Sequence, residues 1–395
     1  MEKCPYVKAC GGCRTEYITK EYEESLKAKE REVKKLLGPY GRVLPILGAA
    51  EPYHYRNKVH AVVAQNRRGE LQLGTYEEGT HKVVHVESCL LDDERADAII
   101  RCIGRLMLSF HYQAYQEDTG RGFLRHILIR TGRASGQIMV TLVIADPRFP
   151  SKQNFIRALL KEHPEITTVV ANVNAKRTSM ILGDREEVLY GPGYIEDTLN
   201  GKTFRISSKS FYQINHEQCE KLYRIAMEAA DLSGHEDILD AYSGIGTIGI
   251  CAADRAASVT GVELNPEAVR DAQANVKRNG LSDRCHYLAG DAGDFMVEEA
   301  TRGRHYDVVF MDPPRAGSDE KFLKSLIKAS PKKVVYISCN PVTLARDLKF
   351  LTQHGYRAGM IRPVDMFPFT EHVETCALLT KKSEEHTKYT DIKGE

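Results

Sequence analysis

The segment Ile238–Gly249 (ILDAYSGIGTIG) decides the fold of this chain. A short apolar run ends at Ala241, and a glycine-rich turn then opens a helical pattern. Glycines at such a turn let a ligand approach the backbone closely at the end of a strand. Gly244, Gly246 and Gly249 formally match the fingerprint G-x-G-x-x-G, which is weak evidence when it stands alone.

Alternating strand and helix patterns follow from Asp237 onward, and this order predicts βαβ units with a parallel sheet. The predicted strands are Ile238–Ala241, Val259–Glu263, His286–Ala289, Tyr306–Met311 and Val334–Ser338. Glu263 ends the second strand, where its carboxylate can bind both hydroxyls of a ribose. Turn and acid together predict a site for a dinucleotide or for S-adenosylmethionine.

The last of these strands is the first half of the segment Val334–Thr343 (VVYISCNPVT). Cys339 follows the strand directly and is therefore expected at the carboxyl edge of the sheet. Pro341 suits the first position of a helix, so Cys339 is expected between the strand's end and a helix N-terminus. A helix N-terminus stabilises a thiolate, which is the reactive form of cysteine. The alternative is that Cys339 is a buried, unreactive thiol.

Composition sets outer bounds on function. A chain of 395 residues predicts two or three domains, and its net charge of +1 means that any nucleic-acid surface is local. No apolar run reaches the roughly 20 residues that span a bilayer, and the first residues lack the apolar core of a signal peptide. We therefore expect a cytoplasmic protein, in which ten cysteines indicate metal binding or catalysis rather than disulfides.

Three of the cysteines lie close together at the start of the chain, at Cys4, Cys10 and Cys13, with two glycines between the last two. Three thiolates need a fourth ligand, for which Cys89 is the nearest candidate and Cys102, in a helical pattern, is the next. The unequal spacing favours an iron–sulfur cluster over the paired C-x2-C sets of zinc sites.

Residues 43–206 contain mostly short strand patterns, with a helix predicted over Lys152–Glu162, and indicate an α+β domain with an antiparallel sheet. Two segments are locally basic, Tyr55–Lys58 and Arg121–Arg133. They suit phosphate contacts, or the second is a solvated edge strand. Lys209–Asn215 precedes a helix predicted over His216–Ala230, and its aromatic and amide groups suit either base stacking or helix capping.

Several motifs together resemble one enzyme family. Asp240-x-Tyr242-x-Gly244-x-Gly246, Glu263, Asp291 and Asp312-Pro313-Pro314-Arg315 resemble the successive motifs of class I S-adenosylmethionine-dependent methyltransferases. Ser338-Cys339-Asn340-Pro341-x-Thr343 resembles the catalytic motif of the RNA (uracil-5-)-methyltransferases. Phe211–Asn215 is similar to that family's F-x-Q-x-N motif, and His372–Glu374 to its H-x-E motif. The N-terminal cysteines with Cys89 resemble its iron–sulfur branch.

The resemblance implies a mechanism and its residues. Cys339 would add to C6 of uracil, C5 would take the methyl group, and Glu374 would remove the C5 proton. The cofactor would be S-adenosylmethionine, lined by Gln213, Tyr242, Thr247, Glu263, Asp291 and Asp312. A 4Fe–4S cluster would be held by Cys4, Cys10, Cys13 and Cys89.

The resemblance also implies an architecture. Residues 209–382 would form a Rossmann-like α/β methyltransferase domain with a seven-stranded, mostly parallel sheet containing one antiparallel strand. Residues 1–15 and 40–208 would form a central RNA-binding α+β domain with an antiparallel sheet and the cluster loop. We expect an amphipathic helix within 16–39 to pack on the methyltransferase domain, and a polar, disordered tail at 383–395.

The implied partner is RNA, with 23S rRNA favoured by the cysteines and tRNA as the alternative, and without DNA or membrane partners. We expect a monomer. Many ribosomal-RNA members carry an N-terminal TRAM barrel, which is expected to be missing here because the sequence begins at the cysteines. A different class, an NAD-dependent iron–sulfur oxidoreductase, has no use for Cys339 or Glu374.

Overall fold

The structure is a computed structural model that describes residues 4–13 and 15–382, so the expected tail 383–395 lies outside the described residues. The helices are α1 (Thr15–Ile18), α2 (Tyr22–Leu37), α3 (Glu94–Ser109), α4 (Lys152–Glu162), α5 (His216–Ala230), α6 (Thr247–Ala252), α7 (Pro266–Arg278), α8 (Ala292–Thr301), α9 (Glu320–Ala329) and α10 (Pro341–Gln353). The strands before α5 are β1 (Arg42–Val43), β2 (Lys58–Gln65), β3 (Leu71–Tyr76), β4 (Val83–His85), β5 (Leu124–Thr131), β6 (Ile138–Ile144), β7 (Ile166–Val173), β8 (Arg185–Tyr190), β9 (Ile195–Leu199) and β10 (Lys202–Ile206). Those after it are β11 (Asp237–Ala241), β12 (Ser258–Glu263), β13 (Cys285–Ala289), β14 (Val308–Met311), β15 (Lys333–Ser338), β16 (Tyr356–Val364) and β17 (Glu374–Lys381).

The C-terminal sheet has the class I methyltransferase arrangement that the motifs imply. Its strand order is β1-β16-β17-β15-β14-β11-β12-β13, and β11 to β15 run parallel. Strand β17 is antiparallel to both of its neighbours, as expected for the one reversed strand. The seven strands from β16 to β13 are extended by an eighth, because Arg42–Val43 pairs in parallel with β16. These two residues fall inside the range expected for the central domain.

Helices cover both faces of this sheet, which is why its inner strands β14 and β15 are mostly apolar. On one face, α2, α8, α9 and α10 bury residues such as Leu37, Phe322 and Leu348 against β11, β14 and β15. On the other face, α5, α6 and α7 bury residues such as Leu222 and Ile250 against the same strands. The helices therefore support the sheet from both faces, and the loops that follow the parallel strands lie at its carboxyl edge.

The central sheet has the order β4-β3-β2-β5-β6-β7-β8, with α3 and α4 packed on one face. It is antiparallel as expected, except for β6 and β7, which run parallel. The exception follows from α4, because a helical crossover returns the chain to the same end of the sheet. Strand β5 lies at the centre and is buried along its whole length. The interpretation of Arg121–Arg133 as a solvated edge strand is therefore wrong.

The N-terminal helix α2 does more than dock on the sheet. Its Lys29 is 2% exposed and donates to Asp365 Oδ1 at 2.6 Å. The same ammonium donates to the carbonyls of Phe367 at 2.9 Å and His372 at 2.8 Å. Tyr22 donates to the other oxygen of Asp365 at 2.7 Å. Helix α2 therefore holds the loop that leads into β17.

Within the described ranges, none of the helices combines the length and the apolar character needed to cross a bilayer.

Candidate active site

The glycine turn after β11 adopts backbone angles that few residues tolerate. Tyr242, Gly244 and Gly246 have φ values of +62°, +56° and +84°. For Tyr242 this left-handed conformation is strained, and such strain is typical of functional sites. Gly249 has a packing reason, since a Cβ there would lie 2.5 Å from Tyr287 Oη. The turn thus brings α6 hard against the sheet and exposes backbone at the carboxyl edge.

Glu263, at the end of β12, is joined to this turn. Its carboxylate accepts hydrogen bonds from the amide of Gly244 at 3.0 Å and from that of Asn265 at 2.8 Å. The Tyr242 hydroxyl lies 2.9 Å from Ser318 Oγ, on the loop after β14. Hydrogen bonds therefore join the turn, the acid and the loop into one connected wall.

The other residues expected around a cofactor lie on the elements that border this wall. Asp291 follows β13 and caps α8 by accepting from its backbone at 2.9 Å. Thr247 begins α6, with its hydroxyl 2.9 Å from that of Tyr223. Gln213 is 6% exposed, and its carbonyl accepts from Asn57 of the central domain at 2.9 Å. Gln213 therefore lies where the two halves of the chain meet.

Cys339 lies where the strand and helix patterns place it, between β15 and α10. Pro341 opens α10, and the Asn340 side chain caps it by accepting from the Val342 amide at 3.0 Å. Ser338 pairs with Thr375 across the antiparallel β15–β17 ladder. The neighbours of this pair, Cys339 and Glu374, are consequently brought together from positions 35 residues apart in the chain.

Two carboxyl groups stand beside the cysteine, Glu374 buried and Asp312 partly buried. Glu374 is 2% exposed, and its Oε2 has no hydrogen-bond partner among the described residues. Burial raises its pKa well above the usual value, and the charge of Asp312 raises it further, against the opposing effect of Arg315. Burial also raises the pKa of Asp312 to about 7. Ionisation of one carboxyl group therefore disfavours ionisation of the other, so the pair retains a proton at a pH where an exposed carboxyl group would lose it.

The same surroundings act on the thiol. Burial raises the pKa of Cys339 to about 11, the carboxyl groups of Glu374 and Asp312 raise it as well, and Arg315 lowers it. In this state Cys339 is a thiol at neutral pH. A nucleophilic role therefore requires that its proton be lost when the pocket is filled.

A loop clamp joins the loop after β14 to α10, through contacts that the sequence does not predict. Its members are Arg315, Ser318, Asn340, Thr343 and Asp347. The Arg315 carbonyl accepts from Asn340 Nδ2 at 3.0 Å and from Thr343 Oγ1 at 3.3 Å. The fully buried Asp347 accepts from the Ser318 amide at 2.9 Å. The clamp therefore fixes the loop after β14 against α10, the helix that follows the candidate nucleophile. Arg315 was visible within its motif, whereas nothing local in the sequence distinguishes Asp347.

The four cysteines expected to bind a cluster are partly buried and free. The Gly12 amide donates to Cys10 Sγ at 3.3 Å, and the Leu91 amide donates to Cys89 Sγ at 3.4 Å. Burial raises the pKa of Cys13 to about 11, and the nearby Cys10 and Cys4 raise it further. The three N-terminal sulfurs therefore lie close enough to interact.

Cys4, Cys13 and Cys89 pack around one small apolar cluster that includes Tyr55 and Phe369. Over the residues that the structure describes, however, no three His, Cys, Asp or Glu side chains stand where they would hold a metal ion. The fold thus gathers the cysteines without showing a formed metal site.

Comparisons with known proteins agree with this arrangement. The family model described as tRNA (Uracil-5-)-methyltransferase matches residues 21–382. An uncharacterized RNA methyltransferase of Halalkalibacterium halodurans is 40% identical over 385 residues, which cover 96% of this chain and 83% of that protein. A counterpart from Clostridium acetobutylicum shows the same identity and coverage.

A solved structure extends the likeness to the fold. The tRNA (uracil-54, C5)-methyltransferase of Pyrococcus abyssi, in complex with S-adenosyl-L-homocysteine, superimposes with a TM-score of 0.78 at 27% identity. The match covers 96% of this chain and 88% of that one. A sheet with one reversed strand, a glycine turn joined to an acid, and this extent of similarity lead to one conclusion: the chain belongs to the tRNA (uracil-5-)-methyltransferase family.

Proposed function

We propose that the protein methylates C5 of a uridine in RNA with S-adenosylmethionine as methyl donor. The observation that carries the proposal is the pairing of Ser338 with Thr375, which sets Cys339 beside the buried Glu374. The Oε2 atom of Glu374 has no hydrogen-bond partner among the described residues. A uracil C5 is a poor nucleophile, and a thiol next to a base that can take the C5 proton is the chemistry it needs. Family membership removes the alternative of a nicotinamide-dependent oxidoreductase.

The wall around the glycine turn suits the cofactor. Glu263 stands at the turn with carboxylate oxygens that still have free lone pairs for ribose hydroxyls. The residues that would hold S-adenosylmethionine are Gln213, Tyr242, Thr247, Glu263, Asp291 and Asp312. When bound, it supplies an electrophilic methyl group.

The chain's own residues then carry the reaction on the base. After losing its thiol proton, Cys339 Sγ forms a bond to uracil C6 while the C5–C6 double bond opens to an enolate over C5, C4 and O4, which makes C5 nucleophilic. C5 takes the methyl group, and Glu374 removes the C5 proton as the C5–C6 double bond re-forms and the bond from Sγ to C6 breaks. Asp312 holds the edge of the uracil ring or the amino group of the methionine moiety. Arg315 opposes the charge of the two carboxyl groups.

The uridine must leave its stack to reach this pocket. Phe211 is 67% exposed, which is unusual for a phenylalanine between two buried neighbours. It stands at the entry to α5, two residues before Gln213. We assign it to stacking on an RNA base, which is a sequence-tolerant contact.

We also propose that Cys4, Cys10, Cys13 and Cys89 hold a 4Fe–4S cluster. Burial raises the pKa values of the last three of these thiols, and all three lie near enough to Arg56 for its charge to oppose that rise. Backbone amides point at two of the sulfurs, as they do around cluster thiolates. The proposed role is structural. The buried Phe369 packs among these cysteines and belongs to the loop before β17, which helix α2 also holds. The cluster would therefore help to fix this loop.

This assignment predicts a metal content. Protein purified without oxygen should be brown and contain roughly four irons per chain. The variant Cys89→Ser should lose the colour and the iron, whereas Cys102→Ser, which removes a buried thiol of α3, should keep both. Iron and acid-labile sulfide analysis provides the measurement. A colourless protein containing zinc would contradict the cluster.

The substrate proposal is 23S rRNA, supported by the four cysteines, which resemble those of the cluster-bearing ribosomal members. tRNA is the second candidate, because the P. abyssi enzyme of similar fold acts on tRNA. In either case the central domain, residues 1–15 and 40–208, is proposed to bind the RNA.

The decisive test uses RNA from a strain that lacks the gene. Mass mapping of its 23S rRNA and tRNA should reveal one or more uridines that lack the 5-methyl group. The purified protein with S-adenosylmethionine should restore the missing methyl group in vitro on the RNA class that lost it. If no RNA of the deletion strain differs from wild type and none accepts a methyl group, the proposed function is wrong.

A further inference from the structure

The face of the central sheet opposite α3 and α4 carries a pair of cations. In the β2–β5 ladder, Val59 pairs with Ile129 and both enter the core beneath α3 and α4. Because side chains alternate along a strand, the adjacent pair in the ladder, Lys58 and Arg130, lies on the opposite face. Directly opposed residues of an antiparallel ladder are close neighbours, so the two positive side chains stand together.

Arg130 is 5% exposed, and its side chain donates to the carbonyl oxygen of Ser210, a neutral group. Lys58 is exposed. Within the described part of the chain, neither cation forms an ion pair with a carboxylate. Although the residue as a whole is exposed, the protein atoms packed around its side chain partly desolvate the ammonium group, and this burial together with the charge of Arg130 lowers the pKa of Lys58 to about 8. Two like charges opposed across a ladder destabilise a fold unless an anion joins them.

Other buried basic groups of this domain are compensated. Arg125 pairs with Glu117 at 2.7 Å, and Arg56 with Asp92 at 3.5 Å. His60 and His126, on the same face as Lys58, have pKa values lowered by burial to about 4 and about 3, so they are neutral. Among these basic groups of the described chain, the pair Lys58 and Arg130 therefore differs in having no compensating carboxylate.

This pair borders the candidate active site. Ser210, which Arg130 contacts, immediately precedes the exposed Phe211. The same segment leads into α5, where burial raises the pKa of Cys219 and the nearby Asp312 and Glu374 raise it further.

We propose that Lys58 and Arg130 form a binding site for one phosphodiester group of the RNA strand that carries the target uridine. The inference rests on the proposed function, because it names the part of the RNA that this pair holds. Arg130 supplies a preorganised guanidinium fork from within the sheet, and Lys58 supplies a mobile charge at the surface. Together they fix the strand where the base leaves its stack.

The test measures binding of a fluorescently labelled oligouridylate by anisotropy at several potassium chloride concentrations, without S-adenosylmethionine. Each phosphate contact to a single strand contributes about 0.7 to the slope of log K against log salt. Lys58→Gln should lower the slope by about 0.7, which corresponds to about fivefold weaker binding at 0.1 M salt. Arg130→Gln should have at least this effect. The matched control is Lys161→Gln, an exposed cation of α4 on the other face, which should leave the slope unchanged.

Because Arg130 is buried, its replacement also affects folding, and the exposed Lys58 therefore carries the test. An unchanged slope for Lys58→Gln, in a protein that binds and methylates RNA, would overturn the inference and leave the proposed function standing. Failure of the unaltered protein to methylate any RNA would instead refute the proposed function.

Discussion

Replacing Cys339 with alanine should abolish methylation and the covalent protein–RNA adduct together. The variant retains the wall around the glycine turn, so thermal-shift titration should show unchanged binding of S-adenosylmethionine. Without the bond from Sγ to C6, however, C5 has no route to nucleophilic character. The expected loss of turnover is on the order of 10³-fold or more, the scale seen when a covalent nucleophile is removed.

The measurement is transfer of labelled methyl from S-adenosylmethionine to RNA, with a denaturing gel for the adduct. Cys102→Ala is the matched control, because it makes the same replacement at a buried thiol in α3 of the central domain. It should keep both activity and adduct. Turnover by Cys339→Ala near that of the unaltered protein would refute covalent catalysis by this residue.

Local patterns predict much of this fold. The helices over Lys152–Glu162 and His216–Ala230 have the predicted bounds, because the apolar spacing extends over both of them. Asn215 caps the second by accepting from the Gln218 amide at 3.3 Å. The five parallel strands follow for the same reason, since each is a short apolar run bounded by turn residues.

Other features depend on residues that are far apart in the chain. The pairing of Arg42–Val43 with β16 involves a two-residue strand, too short to have a periodic signature. Lys29 and Asp365 form a buried ion pair across 336 positions, and each looks like an ordinary surface charge in its own segment. Arg130 is a further example. The sequence shows a basic residue there, but only the tertiary structure shows that no described carboxylate forms an ion pair with it. Sequence identifies the motifs of the site, whereas its supports emerge from tertiary contacts.

The raised pKa values of the two carboxyl groups beside Cys339 affect both the thiol and the strength of Glu374 as a base. A solvent-exposed carboxylate there would be ionised at neutral pH and would oppose formation of the thiolate. With Asp312 and Glu374 both raised in pKa, the pair holds fewer charges in the resting state. Glu374 is then positioned to be a stronger base than an exposed glutamate once it is ionised. Because a base must first lose its own proton, methylation is expected to rise with pH across the neutral range.

Glu374→Gln should separate the two halves of the reaction. Glutamine keeps the shape of the side chain but cannot accept the C5 proton, so the covalent intermediate forms, takes the methyl group and cannot eliminate Cys339. Turnover should fall by about 10²–10⁴-fold, the usual contribution of a general base. The adduct should accumulate as a slowly migrating band on a denaturing gel.

Glu371→Gln, three residues earlier and exposed, is the matched control and should neither trap an adduct nor slow turnover. The double variant Cys339→Ala with Glu374→Gln should show no band, because the trapped bond requires the thiol. Loss of turnover in Glu374→Gln without an accumulated adduct would mean that this carboxyl group acts before the bond to C6 forms. In that case Asp312, whose raised pKa reflects the same burial, becomes the candidate base.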